Sequence, residues 1–158
     1  MITNDSGYSV PMDFISHLIT MGKIFFISKA AAALATPSVT QWKVGSKPVF
    51  FKALITASTR TTITIAENPV CSADGTASPV LNRNRSFADD TMAFKRFSAP
   101  TVTSAGTIIS TQILGVNGTT RNVENDAISI LKPNTNYLVT ITPDAASDIT
   151  VDLLFWEE

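Results

Sequence analysis

The sequence predicts an all-β fold, built as an antiparallel sandwich or a small barrel. Thr and Ser are abundant and Glu is rare among the 158 residues, and β-branched side chains favour a pleated strand over a helix. Segments with strand patterns recur along the chain, and turn pairs such as Asn117-Gly118 stand between them. Ile63 and Ile65 alternate with threonines, which predicts strands with one buried face.

The first 22 residues are predicted to form an arm and one short helix. Residues 1–13 mix Gly, Pro, Ser, Asn and Asp without an apolar period, which is typical of an arm. The apolar residues that follow approximate helical spacing, with Asp13 as the N-cap and Gly22 as the stop. The chain is therefore divided into an N-terminal segment, 1–22, and a β-sandwich domain, 23–158.

Strand patterns occupy most of the chain after the helix. The apolar run at 23–29 is followed by an Ala/Thr segment at 30–37, which we interpret as a connection; a helical turn formed by its alanines is the alternative. Residues 68–91 are rich in proline and small polar side chains and form the longest predicted loop. Because long loops are usually functional or mobile, a binding surface is expected there. Eight predicted strands cover residues 39–44, 48–57, 61–67, 92–98, 107–116, 127–132, 136–143 and 148–157.

The charge balance argues against nucleic acid and membrane as partners. Twelve Lys+Arg against 13 Asp+Glu give a formal net charge of −1, whereas nucleic-acid binding depends on clustered cations that neutralise phosphates. No apolar run approaches the roughly 20 residues that cross a bilayer. The first residues are polar and lack the basic start of a cleaved leader, so secretion by that route is not expected.

Reactive side chains are too few for most catalytic classes. His17 and Cys71 are the single members of their types, so the chain can supply neither a disulfide of its own nor a Cys/His zinc site. Asp13 would share a helix face with His17, but the apolar surroundings favour an interface or structural histidine over a base. Cys71 has no basic neighbour in the sequence to activate it. We expect no enzymatic activity and no cofactor.

Acidic residues give only a weak pattern for a metal site or a hydrolase. Asp74 and the pair Asp89-Asp90 offer the oxygen ligands that hard cations prefer, but adjacent aspartates on an extended chain point to opposite sides. A solvated loop is the favoured interpretation, and no metal is expected. A hydrolase would need an acid/base pair, for which Asp89, Asp90 and Glu124 are the candidates.

Besides His17, five residues are candidates for contacts with other proteins. Arg83 and Arg85 would lie on one side of an extended chain, where guanidinium groups can bind a partner's carboxylates; a solvated turn is the alternative. The rings of Trp42, Phe155 and Trp156 are of the kind enriched at interfaces, and the alternative is that they fill the core. Trp156 also lies on the otherwise polar face of its strand, which suggests contact with another subunit.

Five short motifs follow one another along the chain in a definite order. They are a His…Gly-Lys-x-Phe start, an Asn-x-Asn-Arg element, a Gly-Thr strand opening, a Leu-Lys-Pro-Asn-Thr-x-Tyr-Leu strand entry and an aromatic-acidic end, at His17, Gly22, Lys23, Phe25, Asn82, Asn84, Arg85, Gly106, Thr107, Leu131–Leu138, Phe155, Trp156 and Glu157. This order resembles that of the head decoration proteins of tailed bacteriophages, also called cement or auxiliary capsid proteins. The alanine run at 30–35 and residues 1–13 match no part of the pattern.

The resemblance implies a jelly-roll-like antiparallel β-sandwich without enzymatic activity. It also implies a homotrimer over threefold or quasi-threefold positions of an icosahedral head, with the major capsid protein as partner and the outer surface of the virion as location. Residues 1–13 would then clamp the shell as an arm that folds on contact. The alternative is a trimeric phage fibre or receptor-binding head domain whose loop at 68–91 contacts host saccharide.

Overall fold

The computed structural model describes residues 2–3, 9–10, 14–89, 91–115, 121–124 and 129–157. Within these residues the chain forms one helix and sixteen strands. The helix α1 is Phe14–Thr20, and the strands are β1 Ile2–Thr3, β2 Ser9–Val10, β3 Phe25–Leu34, β4 Ser38–Lys43, β5 Val49–Ala57, β6 Thr61–Glu67, β7 Val70–Ala73, β8 Thr76–Ser78, β9 Leu81–Asn82, β10 Lys95–Ser98, β11 Thr101–Ser104, β12 Thr107–Leu114, β13 Arg121–Glu124, β14 Ser129–Leu131, β15 Asn136–Pro143 and β16 Ser147–Glu157.

Two antiparallel sheets pack face to face and enclose the core. The first has the strand order β12-β6-β15-β4-β10-β8, and the second has the order β13-β5-β16-β3-β9, with β14 also paired to β5. We assign positions B to I along the chain to β3, β4, β5, β6, β12, β13 with β14, β15 and β16. The sheets then have the orders C-H-E-F and B-I-D-G, which define a jelly roll. The protein is therefore an all-β sandwich of jelly-roll topology, which confirms the predicted fold class.

Aromatic rings from both sheets meet in the interior. Trp42 packs edge-on against Phe51 and Phe155, with ring centroids 5.5 Å apart in each pair, and against Phe94 at 5.9 Å. All four side chains are almost completely buried. Burying an aromatic side chain of this size contributes about 1.5–3 kcal/mol, and the edge-on arrangement suits the ring quadrupoles. This cluster holds the two sheets together.

An insertion of five short strands separates β6 from β12. Strand β7 pairs with β11 in a small sheet of their own, β8 extends the first sheet through β10, and β9 extends the second sheet through β3. The sequence predicts residues 68–91 as one long loop, and the structure corrects this because β7, β8 and β9 lie within them. Strands of two to four residues are too short to show an alternating pattern.

Strand β3 is longer than the sequence predicts. Residues 30–37 are interpreted above as a connection, whereas β3 continues through Leu34 and pairs with β16 as far as Ser147. Alanine has little strand propensity, so pairing with β16 determines the conformation here. Of the predicted strand at 92–98, only Lys95–Ser98 is a strand. The other strands begin and end within about two residues of the prediction.

Some predicted features fall outside the described residues. They include the N-cap Asp13, the hairpin pair Asn117-Gly118 and the carboxylate of Asp90. In the N-terminal segment the short strands β1 and β2 pair with each other. Helix α1 is close to the predicted position and packs directly on the sandwich domain.

Candidate functional site

Helix α1 covers part of the outer face of the second sheet. Leu18 packs with Ile24 and Trp156 in a small buried cluster, and Ile15 and Ile19 border it. These three helix residues lie on one side of α1, which gives the short helix an apolar stripe to bury. The contact fixes the position of α1 on the sandwich.

The end of α1 is held by a glycine in the left-handed conformation. Gly22 has a φ of +68°, and its N–H donates to the carbonyl oxygen of Ile19 at 2.9 Å. The N–H of Lys23 donates to the carbonyl oxygen of Leu18 at 2.9 Å. This pair of hydrogen bonds is the Schellman motif, which stops a helix and satisfies its last carbonyl groups. The predicted stop at Gly22 is therefore correct.

The three predicted aromatic anchors are buried by the chain itself. Trp42 and Phe155 belong to the core cluster between the sheets, and Trp156 lies beneath α1; the three side chains are 2%, 0% and 1% exposed. Trp156 does lie on the outer face of its strand, as predicted, but α1 covers it rather than a second subunit. A ring with no exposed surface has none to offer a partner, so the core alternative describes these residues.

The NRNRS segment is anchored by a buried asparagine. Asn82 is completely buried, and its side-chain amide donates to the carbonyl oxygens of Gly22 at 2.8 Å and Ala88 at 3.4 Å. Its side-chain oxygen accepts the N–H of Asn84 at 2.9 Å. The N–H of Arg83 in turn donates to the carbonyl oxygen of Ile24 at 2.7 Å. The segment is thereby fastened to the end of α1 and the start of β3.

A second set of contacts closes the loop on itself. Arg85 forms an ion pair with Asp89, and the N–H of Asn82 donates to the same carboxylate at 2.6 Å. These two hydrogen bonds lower the pKa of Asp89 below its ordinary range. The side-chain amide of Asn84 donates to the carbonyl oxygen of Thr20 at 3.3 Å. The loop is therefore held in one conformation although it has no regular secondary structure.

Above this framework lies an exposed surface with apolar and cationic side chains. Phe14, Met21 and Phe87 are 53%, 46% and 47% exposed, although large apolar side chains usually avoid water. Phe14, His17 and Met21 follow helical spacing i, i+3 and i+7, and the Phe87 ring lies directly over Gly22. We call the exposed side chains of Phe14, His17, Met21, Arg83, Arg85 and Phe87 the helix–loop surface.

The polar side chains of this surface are held in different ways. The Arg83 guanidinium lies over the ring of Phe26, 5.4 Å from the centroid, which is a cation–π arrangement. The Arg85 side chain, 60% exposed, contacts Asp89. His17 is exposed on α1. The sequence predicted His17, Arg83 and Arg85 as contact residues, and the structure leaves all three exposed, on α1 and on the loop that is hydrogen-bonded to its end.

Sequence reasoning missed the three apolar members. The periodicity that predicted α1 did not distinguish Phe14 and Met21 from the buried Ile15, Leu18 and Ile19. A helical-wheel projection would have indicated them, since Phe14 and Met21 fall on the same side of the helix as His17. Nothing in the sequence placed Phe87 beside them, because that contact depends on the fold.

A second exposed apolar area lies along one edge of the sandwich. Strand β12 is the last strand of the first sheet, and its sequence, TIISTQIL, carries no charge. Ile108, Ile109 and Ile113 of β12 are 59%, 53% and 43% exposed, and Ile130 of β14 is 61% exposed. We call these four residues the β12 edge. Soluble proteins usually protect such an edge with charges or a covering segment.

Cys71 and the nearby Asp74 lie in the strand insertion between β6 and β12. Cys71 is half-buried on β7, and burial together with the carboxylate of Asp74 raises the pKa of its thiol, which disfavours the nucleophilic thiolate. Asp74 is paired with Lys43 at 2.6 Å. In the part of the chain that the structure describes, no three His, Cys, Asp or Glu side chains are grouped so that they could hold a metal ion.

Comparison with known proteins adds no relative. No protein-family model matches this chain, and no curated protein sequence matches it at a significant level.

Among the described residues, no helix is long and apolar enough to cross a membrane.

Proposed function

We propose that this chain is a non-enzymatic structural protein of a tailed-phage virion that binds the outside of the icosahedral head as a homotrimer and stabilises it. The observation that carries the proposal is the helix–loop surface, where exposed aromatic, methionine and arginine side chains lie on a loop and helix end fixed by Asn82. The jelly-roll fold and the sequence motifs are in keeping with it.

The composition of the helix–loop surface suits a protein partner. Aromatic residues, Met and Arg are enriched at protein interfaces, and Lys and Glu are depleted there. Phe14, Met21 and Phe87 supply apolar contact area, while Arg83 and Arg85 can bind carboxylates with several parallel hydrogen bonds. A capsid surface that presents carboxylates around an apolar depression would complement this arrangement.

Preorganisation is the second argument for binding by this surface. Asn82 and Asp89 hold the loop through hydrogen bonds to Gly22, Asn84 and Arg85. Because the loop is already ordered, little conformational entropy is lost when a partner binds. An anchored loop can therefore bind a partner protein at a lower entropic cost than a solvated turn could.

The β12 edge is the proposed contact between copies of the chain. An unprotected, uncharged edge strand tends to pair or pack with another chain, and its exposed isoleucines provide apolar area for that purpose. Three copies around a threefold axis would each cover this edge with a neighbour. The helix–loop surfaces would then be repeated three times, and a weak contact with the capsid would gain strength through multivalency.

The deciding experiment mixes the purified protein with phage heads that lack it. We expect saturable density at threefold or quasi-threefold positions in electron cryo-microscopy, and higher resistance of the decorated heads to heat. Density confined to tail fibres would instead support the fibre alternative. Absence of binding to both structures would overturn the proposal.

A further inference from the structure

The sandwich contains a cavity of about 270 Å³ between its sheets. Facing sheets lie about 10 Å apart, so small inward side chains leave space unfilled. Ala31, Ala53, Ser38 and Thr40 line the cavity, whereas the aromatic cluster around Trp42 fills the neighbouring part of the interior. The cavity forms because these positions carry small side chains, whereas a tightly packed core would have large ones there.

Two hydrogen-bond donors of the cavity wall have no acceptor in the described chain. Trp42 is 2% exposed, and its indole N–H is unpaired. Arg96 is half-buried and lines the cavity, and no contact within the described residues pairs its guanidinium. The two residues are directly opposite each other on the neighbouring strands β4 and β10, so their side chains lie on the same face of the sheet.

The charged residues of the lining are cationic. Lys29 and Arg96 line the cavity, and no Asp or Glu is among the described residues around it. Burial lowers the pKa of Arg96, which reflects the cost of holding a cation away from water without a counterion. Buried polar groups in native proteins normally have partners, and an anion is the partner that this site lacks.

We propose that the cavity binds an apolar carboxylate, such as a medium-chain fatty acid. The carboxylate accepts hydrogen bonds from Arg96 and the indole N–H of Trp42, and the hydrocarbon chain lies along Ala31, Ala53 and the isoleucines between the sheets. An engineered apolar cavity of about 150 Å³ binds benzene, so a cavity of about 270 Å³ has room for a larger apolar group. Lys29 is exposed at the cavity wall, so a ligand has a route from solvent.

The test uses decanoate below its micellar concentration and the full chain. Titration calorimetry should give saturable one-to-one binding of decanoate, and the uncharged decanol should bind about tenfold or more weakly because it lacks the charge-assisted hydrogen bonds. The ¹³C resonance of carboxyl-labelled decanoate should shift on binding. Absence of binding, or equal affinity for decanol, would overturn the proposal.

Three variants locate the site. Arg96→Gln should weaken decanoate binding about tenfold, and Ala53→Leu should weaken it by filling the cavity. Arg60→Gln is the matched control, because Arg60 is an exposed arginine outside the cavity wall, and it should bind as the unmodified chain does. Melting curves without ligand check that each variant is folded. Unchanged affinity in folded Arg96→Gln and Ala53→Leu would show that decanoate binds elsewhere.

Discussion

The side-chain amide of Asn82 donates a hydrogen bond to the carbonyl oxygen of Gly22 at 2.8 Å, across 60 residues of chain. Gly22 ends α1, and Asn82 begins the loop that carries Arg83, Arg85 and Phe87. This contact therefore joins the two parts of the helix–loop surface. Asn82 is completely buried, so its hydrogen bonds hold these two parts together away from bulk water.

Replacement of Asn82 should destabilise the protein and loosen the loop. Asn82→Ala leaves the carbonyl oxygen of Gly22 and the N–H of Asn84 without their partner, at a cost of about 1–3 kcal/mol. Asn82→Asp keeps the acceptor for Asn84 but replaces the donor with a buried carboxylate that faces the carbonyl oxygens of Gly22 and Ala88, so at neutral pH it should destabilise the protein more than Asn82→Ala does. Urea unfolding measures the loss, and limited proteolysis detects the opening of residues 83–89. Asn82→Ala with the stability of the unmodified chain would contradict the anchoring role.

Replacement of Gly22 should be unfavourable for two separable reasons. The φ of +68° costs an L-residue about 1–2 kcal/mol, and an added Cβ would overlap the ring of Phe87. Gly22→Ala should therefore lower the free energy of unfolding by more than the backbone effect alone. In the double variant with Phe87→Ala the steric part should disappear, which a double-mutant cycle measures. Strict additivity of the two changes would mean that the ring moves aside without cost.

Acidic substitutions on the helix–loop surface should weaken head binding without unfolding the protein. His17 and Arg83 are exposed, so His17→Glu and Arg83→Glu should leave the melting temperature nearly unchanged and reduce occupancy on heads about tenfold or more. Arg60→Glu is the control, because Arg60 is also an exposed cation and lies outside this surface. Equal occupancy of all three variants would exclude the helix–loop surface as the capsid contact.

A single charge on the β12 edge should dissociate the proposed trimer. Ile113 is 43% exposed, so Ile113→Lys disturbs no buried packing of the isolated chain and instead places a charge in the subunit contact. Sedimentation velocity should show trimers for the unmodified chain and monomers for Ile113→Lys. Met21→Lys is the matched control, since Met21 is 46% exposed and belongs to the helix–loop surface, so the trimer should persist. A monomeric unmodified chain at micromolar concentration would contradict the trimer.

Features set by neighbouring residues could be predicted from the sequence, whereas features set by contacts between distant parts of the chain could not. Strand β6 was predicted with its correct ends because Ile63 and Ile65 alternate with threonines within the strand itself. The strand character of the alanines in β3 was missed because it depends on pairing with β16, near the other end of the chain. For Trp156 the sequence left a subunit contact and the core as alternatives for the same reason, since the helix that covers it lies far away in the sequence.

In the candidate site, too, only the features set by neighbouring residues could be predicted. The sequence placed Arg83 and Arg85 on one exposed segment because their spacing is local. The anchoring role of Asn82 could not be predicted, because its amide binds a carbonyl group of α1 and nothing in NRNRS identifies which asparagine is buried. Phe87 could not be predicted either, because its place on the surface depends on its contact with Gly22, which is distant in the sequence.

Acid should destabilise the protein partly through Glu67. Its carboxylate accepts hydrogen bonds from Lys132 at 3.1 Å and from the Tyr137 hydroxyl at 3.0 Å, and these lower its pKa below the ordinary value of 4.5. Between 4.5 and the lower native pKa, the unfolded chain binds a proton that the folded chain does not, so stability falls as the pH falls through this window. Above pH 4.5 the carboxylate of Glu67 makes its full contribution to stability, and at a pH well below its native pKa this contribution is lost.

Urea unfolding between pH 7 and pH 3 measures this contribution. Glu67→Gln should lose less stability than the unmodified chain as the pH falls, because its side chain does not titrate. Lys132→Met should also lose less stability over this range than the unmodified chain, because without the hydrogen bond from Lys132, the largest cause of the lowered pKa, the native pKa of Glu67 lies closer to 4.5 and the window is narrower. If Glu67→Gln keeps the full acid sensitivity of the unmodified chain, other carboxylates account for it, and Asp89, whose pKa is lowered by Arg85, is the next to replace.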